Sequence, residues 1–310
     1  MSATTTRAAG RDTLEVVRRR PGRTRATTEE RVFAVLRWAL IAALVLVTAF
    51  PFYYMLLLSF VPIESLLLSP SRLWFGLETL TVETYRTVLA SADDGGQGFG
   101  LFLRNSALVA LATVAVTILV AIPGAYAVSR LPFPGRRQVS TLFLAVYLFP
   151  TVVLAVPLFI AFARLGLQSS LVGLMLVYVV QTVPVSIHML RTYFATIPAS
   201  IEEAAAIDGA GRVATLRRVV LPLAMPSITS TGLYVFMIAW NEFLFALLFL
   251  SAQPDRWTVS LGLAQLSNGI EVPKTVLMAG SVILTVPIVL LYGLAERALT
   301  EGLTSGADKG

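Results

Sequence analysis

The sequence contains no cysteine, one histidine and few charged residues. Without a thiol, the chain cannot form disulfides, thiolate metal sites or a cysteine nucleophile. His188 alone leaves no histidine cluster that could bind zinc. Charged residues make up 14% of the chain, whereas a soluble domain averages about 25%. So few charges cannot cover a water-facing surface, and most of the chain is therefore expected to lie in lipid.

The chain contains long apolar stretches that carry no charged residue. The chain is 56% hydrophobic, with a mean hydropathy of +0.78. A helix needs about 20 apolar residues to cross the hydrocarbon core of a bilayer, and a charge inside that core costs several kcal/mol. Six charge-free stretches of 21–26 residues meet this requirement, which predicts an all-α, polytopic membrane protein with six transmembrane helices. The predicted spans are 38–63, 105–129, 138–163, 165–190, 219–241 and 275–295.

Several prolines fall within these spans. Proline removes a backbone donor and tends to kink its helix. Kinked helices are tolerated in membranes where neighbouring groups or water satisfy the freed carbonyls. Kinks are therefore expected at Pro51, Pro123, Pro150, Pro157, Pro184, Pro226 and Pro287.

Basic residues are distributed unequally between the connecting segments. With a cytoplasmic N-terminus, the cytoplasmic segments carry a net charge of +8 and the opposite side carries −2. The positive-inside rule selects this orientation, with both termini in the cytoplasm. The predicted organisation is a cytoplasmic tail (1–37), a transmembrane domain (38–298) with outer segments at 64–104 and 251–274, and a second cytoplasmic tail (299–310).

The longest predicted cytoplasmic connection, 198–222, contains signals for two short helices. Ser200 followed by Glu203 has the spacing of a capping box, which predicts a helix that begins at the next residue after Ser200. Gly209 and Gly211 can end that helix by adopting positive φ. A second short helix is expected at 212–220, before the next span begins.

The residues of this connection resemble a known motif. Glu203, Ala204 and Ala205, followed by Gly209 and by Leu-Pro at 221–222, are similar to the EAA loop of permease subunits in bacterial ATP-binding-cassette (ABC) importers. Val219 stands where that family usually has isoleucine. The resemblance implies a type I ABC importer permease fold, in which this loop docks on the ATPase subunit and transmits its motion. The implied coupling residues are Glu202, Glu203, Ala204, Ala205, Asp208, Gly209, Leu221 and Pro222.

Further segments narrow the resemblance to the maltose-type carbohydrate-uptake permeases. These are 102–106, 124–135, 239–243 and the tail at 302–310, although Asp308 replaces a small apolar residue. The resemblance implies that the tail contacts the ATPase subunits and that the 251–274 loop contacts an extracytoplasmic sugar-binding protein. The implied tail contacts are Gly302, Leu303, Thr304, Ser305, Gly306 and Lys309, and the implied loop contacts are Gln253, Asn268 and Gly269.

The resemblance also implies partners, substrate and location. The partners are a second permease subunit in a heterodimer, two ATPase subunits that hydrolyse ATP with Mg, the sugar-binding protein and membrane lipid, with no role for nucleic acid. The chain itself is expected to hold no catalytic residue, cofactor or metal. A di- or oligosaccharide such as maltose or trehalose is the expected substrate, with glycerol-phosphate esters as an alternative, and the bacterial cytoplasmic membrane is the expected location.

Glu242 is the one acidic residue inside an apolar run. Carboxylates within membranes face a cavity or a partner, so Glu242 lies either along the sugar path or in a hydrogen bond that fixes two helices. Trp240 and Asn241 share both readings, because an indole can stack on a sugar and an amide can bond its hydroxyls, but both can equally pack helices. His188 is read as an interfacial histidine with satisfied hydrogen bonds rather than a proton relay.

Transport cannot be driven by this chain alone. A phosphate-binding loop needs lysine after glycine, and neither Lys274 nor Lys309 follows one. ATP hydrolysis must therefore come from another polypeptide. Two rival functions are a proton-coupled secondary transporter that uses Glu242 and a membrane enzyme. The first lacks repeated halves or several intramembrane ionisable residues, and the second lacks a catalytic cluster.

Overall fold

The computed structural model describes residues 25–69, 72–268 and 272–307. Within these ranges all regular structure is helical and no strand is present, which confirms the all-α prediction. Residues 1–24 of the predicted N-terminal tail lie outside the described residues. The chain divides into two compact units between Tyr53 and Tyr54, and the described residues of the first unit belong to the first helix alone.

Fourteen α-helices are present in the described ranges, and one turn of π-helix, Leu216–Val220, connects the ninth to the tenth. The helices are α1 Arg25–Ser59, α2 Ile63–Leu68, α3 Glu83–Leu89, α4 Phe99–Arg130, α5 Arg136–Leu148, α6 Thr151–Arg164, α7 Leu171–Phe194, α8 Ala199–Ile207, α9 Arg212–Thr215, α10 Leu221–Leu223, α11 Met225–Asn241, α12 Leu244–Leu250, α13 Val259–Asn268 and α14 Lys274–Ala307.

Four described helices are long and apolar enough to cross a membrane. Two bent pairs raise the number of candidate spans to six if each pair counts as one span: α5 with α6, bent by 98°, and Arg212–Leu223 with α11, bent by 78°. The predicted stretches 138–163 and 219–241 are therefore broken rather than continuous helices. The four continuous candidates are Glu30–Ser59, Phe99–Arg130, Leu171–Phe194 and Lys274–Glu296.

The sharpest bend coincides with a predicted proline. Pro150 stands between α5 and α6, where the backbone becomes extended at Phe149 and Pro150. Proline has no N–H to donate to the preceding turn, and it also disfavours helical geometry at the residue before it. The predicted kink is thus a complete break in the helix.

The start of α7 is also later than predicted, because Gly166 and Ser169 adopt positive φ before Ser170 caps the helix.

Helices α4, α7 and α11 pack around the main apolar core. Ala110, Ala121 and Ala125 of α4 are fully buried, and such small residues let helix backbones approach closely. Thr117 of α4 and Thr182 of α7 share a hydrogen bond of 2.9 Å. This pair satisfies two hydroxyls that lipid could not.

The segment before α4 is anchored by a pair of hydroxyls. The Tyr85 and Ser59 hydroxyl oxygens lie 2.8 Å apart, and the Tyr85 ring packs against Phe60. Burial raises the pKa of the Tyr85 phenol, more than the hydrogen bond with Ser59 lowers it. Tyr85 therefore remains neutral and able to donate this bond across the physiological pH range.

The N-terminal end of α4 holds the connection between α12 and α13. The Asn105 amide donates to the carbonyls of Asp255 and Trp257, both at 3.0 Å. The neighbouring Ser106 hydroxyl accepts from the Val259 N–H at 2.8 Å. Asn105 is only 2% exposed, so its amide depends on these two carbonyls, and not on water, for its hydrogen bonds.

We predict that Asn105→Ala lowers the free energy of unfolding by about 1–3 kcal/mol, since it removes the buried donor that two carbonyls share. Thermal unfolding of the purified chain in detergent measures the effect. Asn241→Ala is the matched control, because Asn241 is exposed and bonds only a carbonyl of its own helix. Equal losses in the two variants would contradict the anchoring role of Asn105.

Candidate functional site

The predicted short helix in the 198–222 segment is present as α8, nine residues long. It begins at Ala199, earlier than the sequence predicted, with Pro198 at its N-cap. Within the described residues no side chain caps this end, so the predicted capping box of Ser200 and Glu203 is wrong. Proline supplies a fixed φ suited to a helix start, and the side chain of Glu203 is left exposed.

A glycine ends α8 as predicted. Gly209 has φ of +82°, and its N–H donates to the Ala206 carbonyl at 3.0 Å while the Ala210 N–H reaches Ala205 at 2.9 Å. A Cβ added at Gly209 would meet no described atom within 4 Å, so the backbone angle, and not space, favours glycine here. Gly211 has φ of −70° and precedes α9, so the positive φ predicted for it is wrong.

Glu202 fastens α8 to the rest of the chain. Its carboxylate accepts from the Arg130 Nε at 2.7 Å and from the Tyr126 hydroxyl at 2.9 Å. Arg130 also donates from Nη2 to the carbonyls of Phe194 and Ile197 at 2.7 and 2.6 Å. The side chains of Arg130 and Glu202 are 19% and 15% exposed. This network, the Arg130–Glu202 anchor, joins the ends of α4 and α7 to α8.

The opposite side of the segment is exposed and partly apolar. Glu203, Ala204 and Asp208 are exposed, and Ala205 is half-buried. Ile207 and Val213, on either side of the Gly209 turn, are 86% and 71% exposed. Sequence reasoning missed these two side chains, although large apolar residues beside a glycine turn in a polar segment were a signal that could have found them.

The other predicted coupling residues, Leu221 and Pro222, lie in α10, beyond the π-helical turn. Leu221 is half-buried and Pro222 is exposed. The structure therefore gathers the predicted residues from Glu202 to Gly209 into one helix and turn, and places the Leu-Pro pair where the chain leads into α11.

Trp240 does not line an open path in this structure. It is 2% exposed, its indole N–H donates to the Leu284 carbonyl at 2.9 Å, and its ring stacks on Phe236 with centroids 5.3 Å apart. It holds α11 against α14. Asn241 is exposed, but its amide donates to Met237 of its own helix. Trp240 therefore packs helices in this structure.

Glu242 links three helices through hydrogen bonds. Its carboxylate accepts from the Tyr178 hydroxyl at 2.8 Å and from the N–H groups of Phe245 and Ala246 at 2.9 and 3.2 Å. A carboxylate at the first turn of α12 satisfies donors that would otherwise lack partners. Ser260 of α13 donates to the Glu242 carbonyl at 2.6 Å. Glu242 therefore makes hydrogen bonds that join helices in this structure.

The remaining predicted contacts lie elsewhere in the chain. Gln253 follows α12, and its side-chain oxygen is buried without a hydrogen-bond partner among the described residues. Asn268 closes α13, whereas Gly269 and Lys309 lie outside the described residues. The backbone of the predicted tail residues Gly302, Leu303, Thr304, Ser305 and Gly306 continues α14, which ends at Ala307.

His188 lies beside a basic cavity. Together with Arg136, Arg137 and Arg191 it lines a space of about 540 Å³ between α5 and α7. Arg191 donates a hydrogen bond to Ser140, and Arg136 donates to carbonyls at the end of α4. In the described part of the chain, no group of three or more acidic or histidine side chains is placed to hold a metal ion.

A sequence model of the family described as "Binding-protein-dependent transport system inner membrane component" matches residues 118–304. The chain belongs to this family. The permease is 37% identical over 271 residues to the inner membrane ABC transporter permease protein YcjP of Escherichia coli K12, a match that covers 87% of the chain and 94% of YcjP.

A second relative indicates the branch of the family. The permease is 38% identical over 267 residues to the trehalose/maltose transport system permease protein MalG of Thermococcus litoralis, which covers 86% of the chain and 93% of that protein. The resemblance to carbohydrate-uptake ABC permeases is thereby confirmed. The family is a component of ABC transporters.

A solved structure has the same fold. The chain superposes with a TM-score of 0.74 and 22% identity on a chain from the crystal structure of a bacterial ABC transporter involved in the import of the acidic polysaccharide alginate. The match covers 87% of the permease and 97% of that chain. The shared fold is that of an ABC importer permease.

We predict that Glu202→Ala loosens α8, because it leaves Arg130 and Tyr126 without their shared acceptor. Loss of this partly buried pair should cost on the order of 2 kcal/mol. Amide hydrogen exchange within α8 should then rise about 30-fold. Glu203→Ala, the adjacent exposed glutamate, is the control and should leave exchange nearly unchanged. A similar rise in both variants would show that the anchor does not hold the helix.

Proposed function

We propose that the permease forms half of the translocation pathway of an ATP-driven importer of di- or oligosaccharides, and that its 198–222 segment couples ATPase motion to alternating access. The observation that carries this proposal is the Arg130–Glu202 anchor beneath an exposed apolar turn. One side of α8 is fixed to two candidate spans, while the other presents Ile207 and Val213 outward.

An ATPase subunit is the partner that this exposed turn suits. Ile207 and Val213 supply apolar area, Glu203 and Asp208 supply charge at the rim, and Ala204 permits close approach of another backbone. Interfaces with an apolar centre and a polar rim have this composition. Two ATPase subunits that hydrolyse ATP with Mg, one for each permease of a heterodimer, complete the proposed complex.

The anchor connects the exposed turn rigidly to α4 and α7. Arg130 is the last residue of α4, and the carbonyls it binds lie at and just beyond the end of α7. Helices α4 and α7 are closely packed, so a force applied at Ile207 would move both helices together. Alternating access by rigid-body motion of packed helices requires such a fixed connection.

The outer partner and the orientation belong to the same proposal. We place both termini in the cytoplasm of a bacterial cell, with the 251–274 segment facing an extracytoplasmic sugar-binding protein. Gln253, Asn268 and Gly269 are its proposed contacts. The proposed tail contacts with the ATPase subunits are Gly302, Leu303, Thr304, Ser305, Gly306 and Lys309.

A disaccharide is the proposed substrate because MalG of Thermococcus litoralis carries the name of a trehalose/maltose transport system.

We predict that the permease, coexpressed with its partner permease and ATPase subunits, copurifies with both. In proteoliposomes with the binding protein, trehalose or maltose should stimulate ATP hydrolysis and enter the lumen only when ATP is present. Uptake driven by a proton gradient without ATP would contradict the proposal.

The docking surface has its own prediction. Ile207→Asp should weaken copurification of the ATPase subunits at least tenfold, since it places a charge at the apolar centre of the interface. Leu77→Asp is the matched control, because Leu77 is also 86% exposed but lies in the predicted outer segment. If the two variants retain the ATPase subunits equally, α8 is not the docking element.

A further inference from the structure

The break between α5 and α6 borders a cavity of about 140 Å³. The chain turns there by 98° at Phe149 and Pro150. Polar groups from three candidate spans line the cavity: Tyr147 and Thr151 beside the break, Gln181 of α7 and Tyr234 of α11. The Tyr234 phenol interacts with that of Tyr147. Among the described residues, none that lines the cavity carries a charge.

Backbone acceptors are left free around this cavity. Helix α5 ends at Leu148. The Val146 carbonyl accepts from the Phe149 N–H at 3.2 Å, whereas the carbonyls after it lose their helical partners. Pro184 has no N–H, so the Val180 carbonyl, one turn earlier in α7, also lacks its helical donor, and Val180 lines the cavity. Non-helical backbone at membrane depth is tolerated only where it is buried in protein or lines an aqueous or ligand cavity.

Gln181 provides an unused donor at the same place. Its side-chain nitrogen is buried and has no hydrogen-bond partner in the described part of the chain. A buried amide without a partner is destabilising, and such groups in native structures call for a ligand, a water or another explanation. The residues around the cavity therefore combine an amide nitrogen without a partner, carbonyls without helical donors, phenol hydroxyls and aromatic faces.

We propose that this cavity, the α5–α6 bend site, is a binding station for an uncharged saccharide on its way through the permease. Sugar hydroxyls both donate and accept, which suits the Gln181 amide and the free carbonyls. The apolar face of a sugar ring suits the Tyr147 and Tyr234 rings. A charged substrate would find no counter-ion among the lining side chains. The inference rests on the proposed importer function and assigns the sugar contact to residues other than Trp240 and Glu242.

The test uses the complete importer, reconstituted with its partner subunits and binding protein, and radiolabelled trehalose and maltose as probes. Gln181→Met keeps the side-chain size but removes the amide. We expect its KM for uptake to rise about 3- to 10-fold, the loss of one hydrogen bond. ATP hydrolysis stimulated by the binding protein should persist. Gln168→Met, an exposed glutamine in the turn before α7, should leave KM unchanged.

The absence of cysteine allows a second measurement that needs no transport. Gln181→Cys and Tyr234→Cys each introduce the only thiol of this chain. N-ethylmaleimide labelling, read on this chain by mass spectrometry, should be slowed by trehalose or maltose in both variants. A Gln168→Cys control should label at the same rate with and without sugar.

The outcomes separate the two proposals. If the wild-type importer takes up neither sugar, the proposed substrate class and the proposed bend site are both wrong. If uptake is normal but Gln181→Met has an unchanged KM, or sugar does not protect Gln181→Cys, the importer function stands and the bend site is wrong. In that case water or a side chain of the partner permease occupies the cavity. Tyr147→Phe, which retains the ring, replaces Gln181→Met if that variant fails to assemble.

Discussion

A backbone polar group at membrane depth has no water to bond, and this constraint governs the structure of the permease. Continuous helices satisfy it internally, which is why the described regular structure is helical. Each interruption of a helix leaves backbone N–H and C=O groups that need another hydrogen-bond partner. At the end of α11 the Glu242 carboxylate supplies it, by accepting the first N–H groups of α12 and the Tyr178 hydroxyl. At the α5–α6 break the described side chains offer no comparable partner, and an uncharged cavity lies there instead.

The Arg130–Glu202 anchor fixes the orientation of α8. An ion pair that is mostly buried loses hydration, and its attraction offsets that loss only when further hydrogen bonds complete the geometry. Here Tyr126 and two backbone carbonyls complete it. The value of such a pair lies in fixed orientation more than in net stability. It leaves Glu203 and Ile207 facing outward on a helix that cannot rotate freely relative to α4 and α7.

Features set by neighbouring residues could be predicted from the sequence, whereas those set by distant partners could not. Gly209 ends α8 because its own backbone angle requires glycine, and Pro150 interrupts a span because it lacks an N–H. The partner of Glu202 is 72 residues away, so no local pattern distinguishes it from Glu203. The direction of Trp240 likewise depends on the Leu284 carbonyl of another helix. Gln181 was overlooked because only the fold places it beside Tyr147 and a broken helix.

Helix α7 physically connects the two proposed sites. Gln181 stands thirteen residues before Phe194, whose carbonyl Arg130 binds in the anchor. At the rise of an α-helix this separation is about 20 Å. Pro184 lies between them, where the missing hydrogen bond makes bending easier. A displacement of α8 would therefore reach the bend site along one helix, with a flexible point near the cavity itself. Arg136 and Arg191 tie the start of α5 to α4 and α7, whereas Tyr147 lies near its other end. Bending of α7 at Pro184 would therefore change the distance between Gln181 and Tyr147, and with it the affinity of the cavity for a sugar.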